Sequence, residues 1–113
     1  MIRIAQRNRT DCGIACVAML ARVSYEDAKA AFRSSEYGKP INAKACIRAL
    51  RRLGVKILSD RFKPLGPDNV ETLKHNALLK ANMRRKNWHW VVFDASKKVI
   101  IDPASFLIGQ SKI

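Results

Sequence analysis

Four side chains in this sequence, Gln6, Cys12, His89 and Asp102, have the types and spacing for acyl transfer through a thiol. A cysteine attacks as its thiolate, and a thiolate is favoured where the positive end of a helix dipole faces it. Cys12 stands at the start of an apolar run that reads as a helix. His89 opens the apolar stretch Trp88-His89-Trp90-Val91-Val92. An imidazole there is suited to take the thiol proton and return it to a leaving amine. Asp102 ends the next apolar stretch, 13 positions after His89. If the two stretches form a hairpin, the end of one lies beside the start of the other. The carboxylate then orients the imidazole and stabilises its charged form. Gln6 offers an amide N–H to an oxyanion developing beside the thiolate. Each residue alone has an ordinary alternative: a buried cysteine, a core histidine, an Asp-Pro turn, a solvated glutamine.

These side chains need elements to hold them. Residues 11–22 predict a helix that is apolar almost all round, through Ile14, Ala15, Val17, Ala18, Met19, Leu20 and Ala21. A helix with no polar face belongs at the centre of a domain. Asp11 is its expected N-cap. Ser24 opens a second helix, with Asp27 in the capping-box position and Ala28, Ala31 and Phe32 as the inner face. Gly38-Lys39-Pro40 breaks the chain and Asn42 caps a third helix. Its Cys46, Ile47, Leu50 and Leu53 recur at helical spacing, with Lys44, Arg48, Arg51 and Arg52 mostly on other faces. Gly54 ends it.

The period then changes. Residues 55–58, 77–81, 89–93 and 99–101 read as strands, with a hairpin turn over 94–98. Residues 63–68 are turn-rich, 70–74 suggest one helical turn, and 2–6 a short extended arm. Helices first and strands second predict an α+β architecture with an antiparallel sheet.

The length of 113 residues predicts a single domain, 1–113, and the 48% apolar content is that of a globular chain. No apolar run approaches the roughly 20 residues of a membrane-spanning helix. The first ten residues hold three arginines and no secretory signal, so a cytoplasmic address is expected. Three cysteines, an odd number, argue against a disulfide scaffold, and Cys16 and Cys46 read as small buried apolar residues. Cys12, Cys16, Cys46, His75 and His89 form a conceivable metal set. The absence of a Cys-x-x-Cys pair and of closely spaced histidines speaks against it, and no metal or cofactor is expected. The net charge of +13 attracts polyanions, acidic peptides or acidic membrane surfaces, or simply keeps the chain soluble. Arg51-Arg52 and Arg84-Arg85-Lys86 are suited to phosphates. No helix-turn-helix, zinc-finger or RNP pattern accompanies them, so nucleic acid is not the favoured partner.

Taken together, Gln6, Asp11-Cys12-Gly13, Ala15, Met19, His89-Trp90-Val91-Val92 and Ile101-Asp102-Pro103 resemble the C39 peptidases. These are papain-like cysteine peptidases found as N-terminal domains of bacteriocin-exporting ABC transporters and as stand-alone relatives. The resemblance runs from about residue 3 to residue 105. It implies a papain-like fold with N-terminal helices packed on an antiparallel sheet. It also implies Cys12 as nucleophile, His89 as base, Asp102 as its orienting group and Gln6 as oxyanion donor. The implied reaction is cleavage of a peptide or leader-peptide bond through a thioester acyl-enzyme. Transporter-linked members cut after a Gly-Gly pair, but no transporter segment is attached here, so that specificity is not carried over. The basic segment 82–87 beside His89 suggests an acidic peptide or protein substrate, and Trp88 and Trp90 line either a groove or the core. Two other readings share these residues. One is transfer of the acyl group to an amine. The other is a catalytically silent module that binds an acidic peptide, a partner protein or nucleic acid; the intact Cys, His and Asp argue against it.

Overall fold

The first helix has no polar side to give to water, and the rest of the chain covers it. The computed structural model describes residues 1–59, 70–82 and 88–104. Helix α1 spans Cys12–Ala21, and every residue from Cys12 to Met19 is buried. It packs against α2 (Tyr25–Ala30), α3 (Ala43–Arg52) and the central strand β2 (Trp88–Asp94). Arg22 closes α1 in the left-handed region, its N–H reaching Ala18 O and Met19 O.

Local signals explain the next two helices. Ser24 Oγ accepts from Asp27 N at 3.0 Å, and Ala28, Ala31 and Phe32 are buried as expected. A short 3-10 turn, Ser34–Glu36, was not foreseen; the Glu36 carboxylate accepts from Arg33 N at 2.8 Å. Asn42 Oδ1 accepts from Ala45 N at 2.9 Å and starts α3. The buried stripe of α3 is Ala45, Cys46, Ala49 and Leu50, whereas Ile47 and Leu53 are only partly buried. Small residues on this stripe allow α3 to approach α1 closely. A Cβ on Gly13 would sit 3.1 Å from Cys46 Sγ.

The expected strand at 55–58 is not formed. Gly54, at φ +85°, donates to Arg51 O, and Val55 N donates to Leu50 O, closing α3 with paired bonds to its last carbonyls. The Val55 N–H is thus taken by the helix end. Val55 and Ile57 pack on the core, and Leu58 is exposed. The turn-rich stretch 63–68 lies outside the described residues. The helical turn expected over 70–74 forms as a shorter 3-10 turn, Val70–Thr72.

The sheet is antiparallel, in the order β1 (Ala77–Asn82), β2, β3 (Val99–Ile101). Its register runs from Ala77 opposite Phe93 to Asn82 opposite Trp88, and Val92 faces Ile101 across the hairpin. The turn is built by Asp94, whose Oδ1 accepts from Ser96 N at 3.1 Å and Ser96 Oγ at 2.8 Å. Side chains alternate across β2. Trp90 and Val92 enter the core with the helices, and Val91 and Phe93 are also buried. Trp90 is therefore a core residue, and its Nε1 donates to Ile41 O at 2.7 Å, tying the sheet to the start of α3. The arm has no regular structure but runs beside residues 102–103: Gln6 N donates to Pro103 O at 2.7 Å.

The architecture is α+β, with helices in the first half and a three-stranded antiparallel sheet in the second. No helix among the described residues is long and apolar enough to cross a membrane.

Candidate active site

Cys12 is the first residue of α1 and keeps 8% exposure. Asp11 occupies the N-cap position, yet its carboxylate does not cap the helix. It turns back and accepts from Arg7 N at 2.8 Å, Asn8 N at 3.0 Å and Tyr25 Oη at 2.5 Å. A buried carboxylate needs several donors, and the preceding loop with α2 supplies them. The first N–H groups of α1 consequently receive no side-chain cap. They leave the positive helix end open at the thiol, where an anion can use it.

Tyr25 belongs to a larger latch. The Arg7 guanidinium lies 4.0 Å from its ring centroid and pairs with Glu26 at 2.6 Å. Burial, then the hydrogen bond to Asp11, push the Tyr25 hydroxyl well above its ordinary range, so it stays a neutral donor. Tyr25→Phe should destabilise the protein by about 1–3 kcal/mol, since one donor to a buried carboxylate is lost while the charge remains. Urea unfolding of the two proteins checks this; an unchanged midpoint would show that the latch contributes nothing.

The β2–β3 hairpin brings the next pair together. Because Val92 faces Ile101, Asp102 emerges just past Val91 and near His89. His89 Nε2 and Asp102 Oδ1 are 2.6 Å apart. Asp102 Oδ1 also accepts from Ala104 N at 2.9 Å, and its carbonyl accepts from Arg3 Nε at 2.8 Å. The Cys12 side chain is near enough to His89 to raise the pKa of its ring as well. With Nε2 engaged by Asp102, Nδ1 is the nitrogen left for the thiol.

The electrostatics follow from this chain of contacts. Burial works against the charged imidazole, but the Asp102 hydrogen bond, then the influence of the nearby Cys12 side chain and the Asp102 charge, outweigh it, and the His89 pKa is pushed up to about 9. Burial likewise opposes the Asp102 carboxylate. The hydrogen bonds from His89 and Ala104, with the charges of His89 and Arg3, hold its pKa below the ordinary value nonetheless. The arrangement favours an imidazolium at His89 beside the Asp102 carboxylate.

Gln6 is buried beside the same strand end. Its Nε2 donates to Asn8 O at 2.7 Å, and its Oε1 is buried without a partner. One amide hydrogen is thus committed to the loop before Cys12, and the second is free of that bond.

Cys16 and Cys46 are fully buried, and all three thiols are unpaired. Burial, then the charges of Cys12 and Glu36, push the Cys46 thiol up to about 12. Burial, helped by Cys12, Cys46 and Asp102, pushes Cys16 up as well. Neither forms a thiolate readily at neutral pH. Among the described residues no group of three or more His, Cys, Asp or Glu side chains is placed to hold a metal ion, and His75 is exposed. The basic residues 83–87 lie outside the described residues.

The structure therefore joins His89 to Asp102, sets Cys12 near enough to raise the His89 pKa, and anchors Gln6 to residue 103. Two supporting residues were missed in the sequence. Tyr25 looks like a packing aromatic after an N-cap serine, and its hydroxyl partner is 14 positions away. Arg3 carries no signal beyond its charge. No protein-family model, no curated protein and no solved structure matches this chain. The reading of the site rests on its own geometry.

Proposed function

We propose that the chain is a cysteine peptidase of the papain-like, C39-resembling kind, cleaving a peptide bond through a thioester acyl-enzyme. One observation carries the reading. His89 meets Asp102 through Nε2 at 2.6 Å, and Cys12, at the uncapped start of a buried helix, is near enough to raise the pKa of the His89 ring. A nucleophile, a base and a carboxylate that orients the base are what acyl transfer requires.

The steps follow. His89 takes the thiol proton, and Cys12 Sγ attacks the carbonyl carbon. The oxyanion accepts from the Cys12 backbone N–H, with the uncommitted Gln6 amide hydrogen as the second donor. His89 returns the proton to the leaving amine, the C–N bond breaks, and a thioester remains. A water, deprotonated by His89, attacks the thioester; the acid leaves and the thiol recovers its proton. Asp102 stabilises the imidazolium throughout. Three free thiols, one of them needed as a thiolate, suit a reducing compartment such as the cytoplasm.

The test is the rate of Cys12 alkylation by iodoacetamide against pH, with peptide mass mapping to separate the thiols. Cys12 should react well below pH 8 and lose that advantage in His89→Ala. A rate that rises with pH as an isolated thiol does, unchanged by the substitution, would reject the pair.

A further inference from the structure

Cys12 and Cys16 both lie on α1, four positions apart, so one helical turn sets them on the same face. At ~1.5 Å of rise per residue their Cα atoms are about 6 Å apart. A disulfide spans Cα separations of about 4.4–6.8 Å. Their Cβ atoms, roughly 5–6 Å apart at this spacing, must close to about 3.5–4.5 Å. Cys12 keeps 8% exposure and Cys16 keeps none. Burial, then the charge of Cys12, raise the Cys16 pKa, so the two sulfurs lie within electrostatic reach.

Two further observations favour this pair. Cys12 is the first residue of α1, and the Asp11 side chain does not cap the helix there. The first turn can therefore tighten around Cys12 without breaking a side-chain cap. The third thiol is less suited. Cys46 belongs to α3, and its Sγ lies against Gly13, 3.1 Å from where a Cβ would be. Bridging it to Cys12 requires two closely packed helices to shift, which a dense interior resists.

We propose that Cys16 is the resolving thiol of a reversible oxidation at Cys12, an inference that rests on the peptidase reading for its reactive Cys12 thiolate. The thiolate attacks one oxygen of a hydroperoxide and the O–O bond breaks. Sulfur is oxidised to a sulfenic acid, and the peroxide is reduced to an alcohol or water as it takes up a proton. The Cys16 sulfur then attacks the Cys12 sulfur, and the S–O bond breaks. The hydroxyl leaves with the Cys16 proton as water. A dithiol reductant reverses the bridge by two exchanges and ends as a disulfide itself. While it lasts, the bridge occupies the nucleophile and stops turnover. It also keeps Cys12 from the irreversible sulfinic acid. A transient, redox-sensing bridge is the kind that a reducing compartment holds.

The experiment treats the full-length protein with hydrogen peroxide, digests it with trypsin and maps the fragments by mass. Cys12 and Cys16 share the fragment 10–22, and Cys46 lies in another. The 10–22 fragment should lose two hydrogens, Cys12 should stop reacting with iodoacetamide, and dithiothreitol should restore most of that reaction. Cys16→Ala should instead gain oxygen on Cys12 and recover little, whereas Cys46→Ala should behave as the unsubstituted protein does. Circular dichroism verifies that both variants are folded. A bridge from Cys12 to Cys46, no bridge at all, or full recovery in Cys16→Ala overturns the proposal. Alkylation of untreated protein against pH reads the Cys12–His89 pair separately. A reactive Cys12 that forms no bridge defeats this proposal alone, whereas an isolated-thiol profile defeats the peptidase reading.

Discussion

If the proposed chemistry holds, Cys12→Ala should remove peptide turnover and the trapped acyl-enzyme while leaving the fold in place. Loss of the nucleophile from an assembled triad costs on the order of 10⁶-fold in kcat, because base and orienting carboxylate have nothing left to activate. The fold survives because Cys12 sits at the edge of the core rather than its centre. The loop before it is held by Asp11, not by the thiol. Cys16→Ala and Cys46→Ala are the contrasting substitutions. Both side chains are fully buried, so each should lose about 1 kcal/mol of stability through the small cavity left behind. Both should still form the thioester. Intact-protein mass after mixing with an activated acyl substrate reads the acylation, and thermal unfolding reads the fold. Full turnover in a folded Cys12→Ala protein would remove Cys12 from the role assigned to it.

The sequence showed most clearly what is decided within a few residues. Ser24 and Asn42 cap the helices they were expected to cap, because the accepted N–H lies three positions on. Gly54 ends α3 because a left-handed residue is needed there. The His89–Asp102 pair was legible for a related reason. A tight hairpin fixes the register, and register places the two side chains. Misreadings arose where distant partners decide. Asp11 has the right type and position for a cap, but Tyr25 and the 7–8 backbone compete for its carboxylate and win. Residues 55–58 have strand composition, yet the Val55 N–H closes a helix instead. The buried stripe of α3 includes the small residues Ala45 and Ala49, and its Cys46 comes close to Gly13, an approach that hydrophobicity alone does not reveal.

Asp102→Asn should slow the reaction by up to about 10⁴-fold, less than loss of Cys12, and should also move its pH profile. In the unsubstituted protein, burial opposes charge on His89, and the Asp102 hydrogen bond is the largest of the contributions that overcome it. The imidazolium therefore persists until about pH 9, and the basic limb of activity should fall there. With asparagine at 102 that support is removed, and the limb should shift toward lower pH. Stability must follow the same proton. The folded His89 pKa is about 9 against an ordinary value of 6.5, so its contribution is complete below 6.5 and is lost as pH rises through 9. Asp102 is shifted the other way, so its contribution is present above 3.8 and is lost as pH falls through its lowered folded value. Denaturant unfolding should accordingly show the pair's full contribution between 3.8 and 6.5, and Asp102→Asn should lose most there and least above pH 9. If the variant kept the same basic limb and lost equal stability at every pH, Asp102 would be a structural turn residue and the charge on His89 would owe nothing to it.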